Sequence, residues 1–308
     1  MLINVCRSLV RALALWLIVV AAAFALFHVV PNDPARTILG ANAPESQVEE
    51  LRRDLGLDRS LIQQFGTYSA SILRLDLGVS YVDRRRVAPE VFGRLPLTLA
   101  LGAGALLLTC LYLVLVVVAH GIGLTRCVGV ADFAMSSMPT LFAAVVAVIA
   151  VSAAYPFRHF GGTLASVESV LALLPASLVL ALYPMATLSR MLRQQIREVS
   201  PAMFVTMARA KGLSEQQISI RHILPNAALP VVAALGNLIP AMLTAAFIVE
   251  IVFSLPGLGT LLIRSILQRD LPMIEGIVMI NAAVTIASTF LIGLSVTLID
   301  PRQRSHAS

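Results

Sequence analysis

The chain has 308 residues, 58% of them hydrophobic and only 13% charged, with a mean hydropathy of +0.86. Ordinary soluble domains carry about 25% charged residues, so these values exclude a water-soluble globular protein and place most of the chain in lipid. A net charge of +6 and a pI of about 9.8 would point to nucleic acid in a soluble protein, but here the arginines follow the membrane, and no nucleic acid partner is expected.

At the N-terminus, Arg7 and Arg11 precede an apolar run from Ala12 to Val30. That run is too long for the hydrophobic region of a signal peptide and no small-residue cleavage site follows, so an uncleaved first span is expected at roughly 9 to 30. Five further runs, at roughly 96 to 119, 133 to 154, 169 to 189, 228 to 252 and 275 to 299, are long enough to cross about 30 Å of hydrocarbon as helices. The expected fold class is therefore all-α: a polytopic membrane helix bundle with six transmembrane helices. Lys and Arg assign its orientation. With the N-terminus inside, the inner segments hold eleven of them, from Arg7 to Arg304, against three in the short outer loops, Arg158, Arg264 and Arg269. The positive-inside rule then puts both termini in the cytoplasm.

Residues 31 to 95 face outward in this arrangement. Pro44 and Glu45 lead into Val48, Leu51 and Leu55 at helical spacing with Gly56 as a stop, and a second helix runs from Ser60 through Leu61, Phe65 and Ile72. These two short amphipathic helices are either a docking platform for an external partner or a cap on the bundle.

The segment from 190 to 227 lies in the cytoplasm between the fourth and fifth spans. Ser200 with Pro201 reads as a helix start, the helix runs through Met203, Val205, Thr206 and Ala208, and Gly212 ends it. Ser214 with Gln217 forms a capping-box pattern opening a second helix, which Pro225 terminates. A mere connection rarely carries two capped helices, so the pair is expected to bind a partner.

Catalysis finds no support. A phosphate loop needs lysine directly after glycine and before Ser or Thr, whereas the one lysine, Lys211, follows Ala210. There is no G-x-S-x-G or H-E-x-x-H pattern, and His28 and His159 read as interfacial residues. Cys6, Cys110 and Cys127 show no C-x-x-C spacing, so neither a metal site nor a disulfide framework is indicated. Ion-coupled transport usually needs ionisable residues at bilayer depth. Asp132, Glu275 and Asp300 sit at span ends and only Glu250 lies within a strongly apolar run, near its outer end. Glu250 either helps gate a pathway or reaches the outer interface, and an ion-coupled secondary transporter is the alternative function. Pro184, Pro230 and Pro240 would kink their spans, and Pro256, Gly257, Leu258 and Gly259 read locally as a turn.

The stretch Met207 to Gly212, M-A-R-A-K-G, followed after nine residues by H-I-L-P-N-A, resembles the E-A-A loop of binding-protein-dependent ABC importer permeases. Ala208, Gly212, Leu224 and Pro225 stand at matching positions, while Thr206, Met207 and His222 replace the usual Glu, Ala and Ile. P-N-D-P at 31 to 34, L-D-L-G-V-S-Y at 75 to 81, E-I-V-F-S-L-P-G-L-G at 250 to 259 and I-D-P-R at 299 to 302 are similar to the B-type subunit of the dipeptide and oligopeptide branch. The resemblance implies a division at about residue 95, with the first span and an outward helical region before it. The importer core of spans 2 to 6, with a coupling loop at 200 to 226, follows.

It also implies a prokaryotic inner membrane, a second homologous permease as heterodimer partner, an external substrate-binding protein and two ATPase subunits. ATP and Mg would be used by those ATPases and no cofactor bound by this chain. Thr206, Ala208, Arg209, Lys211, Gly212, Leu224 and Pro225 would form the coupling loop, and Glu250, Pro256, Gly257 and Gly259 a pathway or gate. Cargo would be a di- or oligopeptide, although glutathione, nickel-chelate and haem importers look similar.

Overall fold

The computed structural model describes residues 2–29, 34–40, 43–54, 56–154 and 171–299. Pro31 to Asp33, Leu55, Arg158, His159 and the closing Asp300, Pro301 and Arg302 lie outside the described residues, as do the side chains of Cys6 and His28.

The described residues form helices and connecting turns. In chain order these are α1 (Leu2–Val29), α2 (Pro34–Leu39), α3 (Glu45–Asp54), α4 (Leu61–Leu73), α5 (Val87–Gly121), α6 (Thr125–Ser137), α7 (Thr140–Ala154), α8 (Leu174–Val199), α9 (Met203–Ala210), α10 (Glu215–Ile218), a π-helical turn (Ser219–Ile223), α11 (Leu224–Val252), α12 (Leu258–Gln268) and α13 (Leu271–Ile299). Among the described residues, four stretches are long and apolar enough to cross a membrane: α1, α5, α10 through α11, and α13, or five if the bent pair α6 and α7 is one span.

Three expected boundaries are corrected. The run at 133 to 154 is not one straight helix, because α6 and α7 meet at 101°. Pro139 is the cause: its ring drives the preceding residue out of the helical region, and Met138 is extended, with φ −89° and ψ 118°. The run at 169 to 189 continues ten residues farther, to Val199, since Met, Arg, Gln and Glu are good helix formers whatever their polarity. Finally, α12 occupies a segment read only as a turn and loop.

The two helices expected between residues 31 and 95 are formed, α3 burying Val48 and α4 burying Ile72, whereas α2 and the start of α5 at Val87, nine residues before the expected 96, were not anticipated. Gly56 carries the positive φ, +67°, of a helix stop.

The core is organised around α8, which packs against α5, α6, α7 and α11. Leu101 and Ala105 of α5, Ala144 of α7, Ala176 and Leu180 of α8 and Ala246 of α11 form its centre. Small residues dominate these contacts, as they do where membrane helices pack closely without a hydrophobic driving force. Leu107, Val130, Phe133 and Ile149 instead point away from the bundle, which lipid tolerates. α13 packs on α11 and on α1, leaving α1 at the periphery. Pro184 lies inside α8, and Pro230 and Pro240 inside α11.

Candidate functional site: two ends of one helix

Two constellations stand at opposite ends of α11. Its 29 residues, at about 1.5 Å each, separate them by roughly 40 Å.

At the N-terminal end lies the helix pair. α9 begins at Met203 with Ala202 as its N-cap, not at Ser200. Ser200 instead closes α8, its hydroxyl donating to the Ile196 carbonyl at 2.6 Å. That back-bond to the preceding turn keeps the hydroxyl from capping the next helix. The end of α9 is as the sequence suggests. Lys211 is the C-cap and Gly212 follows with φ +80°. The Gly212 N–H donates to Arg209 O at 2.9 Å and the Leu213 N–H to Ala208 O at 3.3 Å, the two bonds of a Schellman motif. Ser214 then opens α10 with both halves of a capping box: Gln217 N–H to Ser214 Oγ at 3.3 Å and Ser214 N–H to Gln217 Oε1 at 3.2 Å.

Pro225 does not end this second helix. The chain passes through the π-turn Ser219–Ile223 directly into α11, where Pro225 occupies the first turn. A proline lacks an N–H and crowds the carbonyl four residues back, and a wider turn just before it relieves both problems. The Asn226 Nδ2 also donates to the His222 carbonyl at 2.7 Å.

The pair is fused to the bundle. Val205 and Ala208 of α9, Ile218 of α10 and Ile223 pack in one cluster with Leu188, Leu192 and Ile196 of α8 and Ala227 and Val231 of α11. Its other face is bare: Met203 is 78% exposed, Met207 60% and Ile220 56%, with Phe204 beside them. Lys211 and Arg221 of the same segment are exposed as well. Arg209 is committed within the pair, its Nε and Nη2 donating to the two Glu215 oxygens at 2.8 and 3.1 Å. These bonds and the Glu215 charge raise the Arg209 pKa.

At the other end, Glu250 is fully buried. It does not reach the outer interface. Its Oε1 accepts from Thr98 Oγ1 of α5 at 2.6 Å and its Oε2 from the Gly259 N–H at 2.6 Å, while Thr98 Oγ1 accepts from the Leu258 N–H at 3.1 Å. The reason is local. Gly257, the N-cap of α12, has no side chain to offer, yet the first N–H groups of a helix need acceptors. Glu250 and Thr98 supply them from two other helices, and the carboxylate also complements the positive end of the α12 dipole.

Both glycines are needed for space. A Cβ on Gly257 would stand 2.3 Å from the Glu250 carboxyl carbon, and one on Gly259 would stand 2.4 Å from Phe247 Cα. Pro256 leads into this turn, half-buried.

The description "Binding-protein-dependent transport system inner membrane component" fits residues 126–305, and the N-terminal model of the same group, "Binding-prot-dependent transport system membrane comp, N-term", fits residues 1–102. The chain belongs to this family. It is an inner-membrane permease component of the ABC importer class, a family of transport subunits rather than of catalytic ones. Among its relatives, a putative peptide transport system permease protein of Brucella abortus is 32% identical over 97% of this chain and 98% of its own length. The dipeptide transport system permease protein DppB of Bacillus subtilis is 31% identical over 94% of each chain. The glutathione transport system permease protein GsiC of Escherichia coli is 32% identical over 99% of each.

In this permease the residues singled out from sequence fall into two groups. Ala208 is buried and Leu224 half-buried against the bundle, whereas Thr206, Arg209, Lys211, Gly212 and Pro225 are exposed. The bare apolar side chains Met203, Phe204, Met207 and Ile220 were missed. A clue was present for two of them, since Met203 and Met207, four residues apart, share a helical face opposite that of Val205 and Ala208.

Thr98 was missed as well, because nothing local links residues 98 and 250. Asp132 is not a loose charge at a span end. It is buried within α6 and accepts from Tyr112 of α5 and Ser189 of α8, each at 2.8 Å, and from Arg193 of α8. The permease thus ties α5, α6 and α8 together with one paired acid.

Proposed function

We propose that this permease forms, with a second related permease, the translocation pathway of an ATP-driven importer of di- or oligopeptides. The ATPase subunits seat on the helix pair around Gly212. What carries this reading is a pair of capped helices that present a bare apolar face to the cytoplasm while sharing a core with α8 and α11. A surface of this kind is where a partner binds, and the shared core transmits the partner's motion. ATP and its Mg are used on the partner subunits, where this chain has no phosphate loop to offer.

Six crossings are formed by α1, α5, the bent pair α6 and α7, α8, α11 and α13, with both termini in the cytoplasm. The eleven-to-three excess of inner Lys and Arg supports that orientation. Residues 31 to 95 then face outward beside the external binding protein, and the core from 96 onward makes the pathway. Closure of the ATPase dimer favours one arrangement of α9 and α10, and with them α8 and α11, so the permease shifts between inward-open and outward-open states by differential binding. The buried cluster at Glu250 fixes the opposite end of α11 to α5 and α12, and so makes that end of the gate move as one body.

Peptide cargo is supported by the names of the Brucella and Bacillus relatives, and glutathione, itself a short peptide, by the Escherichia coli one. Uptake of labelled dipeptide and of glutathione is measured in membrane vesicles loaded with ATP but given no ion gradient. ATP-dependent uptake is expected; uptake that follows only an imposed gradient would contradict the reading.

A further inference from the structure

A cavity of about 380 Å³ lies between α4, the turn at 76 to 81 and the start of α13, at the same end of the bundle as Glu250. It stands apart from the Glu250 cluster and the helix pair. It lies beside the periphery of the bundle, where Ile72 and Met279 pack with Val20 and Ala23 of α1. Its walls are mostly apolar, including Ile72, Leu77 and Met279, and its polar groups are Tyr68, Tyr81, Asp76 and Glu275. Among the described residues that line it, none is basic.

Asp76 is occupied in part, accepting from the Gly78 N–H at 3.2 Å. Glu275 is different: its Oε1 is buried and has no hydrogen-bond partner among the described residues. An unpaired carboxylate oxygen taken out of water is costly unless a cation or donor meets it. Burial first, and then the Glu275 charge, raise the pKa of both the Tyr68 and Tyr81 phenols, so both stay protonated and able to donate.

We propose that this cavity binds a primary ammonium group on an apolar stem, the ammonium meeting Glu275 between the two tyrosines and the stem lying along Ile72 and Met279. Ammonium supplies the charge and the donors that Glu275 lacks, and it is attracted to the faces of tyrosine rings. A cavity of this volume is in the range of small-ligand sites. Two sources carry this group: the ethanolamine headgroup of a membrane lipid and the free N-terminus of a short peptide. This assignment does not depend on which cargo is transported.

The complete transporter is reconstituted in phosphatidylglycerol nanodiscs and its thermal stability followed on titration. One arm adds phosphatidylethanolamine or, as its trimethylated counterpart, phosphatidylcholine. The other adds dialanine or N-acetyl-dialanine. Stabilisation by phosphatidylethanolamine over phosphatidylcholine identifies the lipid as source, and stabilisation by dialanine over its acetylated form identifies the free amine. In either case Glu275→Gln should weaken binding roughly tenfold or more, since a charge-assisted bond is lost. If Glu275→Gln does not fold, the wild-type preference for amine over blocked amine decides alone. No preference in either arm with the wild type, or a preference that Glu275→Gln leaves unchanged, overturns the proposal.

Discussion

The two ends of α11 are built by opposite means. At the helix pair around Gly212, nearly every polar bond joins residues within six positions of each other: the Schellman turn at Gly212, the capping box of Ser214 and Gln217, and the Arg209 to Glu215 bridge. At Glu250 the deciding bonds join residues 98, 250 and 258 to 259, drawn from three helices. A locally stitched element keeps its own shape while its outer face stays free for a partner. A long-range cluster instead has no free face and holds helices in register. The difference suits a moving attachment at one end and a fixed joint at the other.

That contrast can be broken from either side. Glu250→Ala should have the largest effect, because the Thr98 hydroxyl and the Gly259 N–H both lose their acceptor in a dry site. Each such group costs about 1–3 kcal/mol, and a marked drop in the melting temperature of the purified complex is expected. Gly259→Ala comes next. Its methyl would meet backbone at Phe247, which cannot swing aside, and overpacking of this kind costs about 1–3 kcal/mol. Uptake should fall with stability in both variants while the ATPase subunits still copurify.

Gly212→Val is smaller in energy. Nothing lies within 4 Å of the added Cβ, so the cost is only that of a left-handed backbone, about 1–2 kcal/mol. Its effect should appear in coupling rather than in melting. Ser214→Ala removes one cap bond, about 1 kcal/mol, and should lower ATP-driven uptake modestly at an unchanged level of permease in the membrane.

Legibility in the sequence followed the same division. The helix stop at Gly212 and the capping box at Ser214 were readable because capping is local chemistry between residues three to five apart. The ends that were misplaced, Ser200 and Pro225, are positions where one residue type serves two local roles. Ser200 can cap a new helix or bond back to the old one, and Pro225 can stop a helix or sit in its first turn. Neighbouring sequence does not choose between them; the packing of Ile196 and Ile223 into the shared cluster does.

Most apolar runs were legible by length alone, and the break at Pro139 was passed over because run length was read without the proline that marks it. Glu250 was the hardest. Its place in an apolar run marked it as unusual, but its acceptor role depends on Thr98, 152 positions away, and on a helix whose N-cap is a glycine. Only the tertiary fold brings those together.

The most direct test compares ATPase copurification for Gly212→Val and Gly259→Ala in the same detergent. The account predicts that Gly212→Val sheds the ATPase subunits or uncouples their hydrolysis from peptide uptake, while Gly259→Ala retains them. A Gly212→Val complex with full ATPase content and full uptake, beside a Gly259→Ala complex stripped of its ATPases, would contradict it.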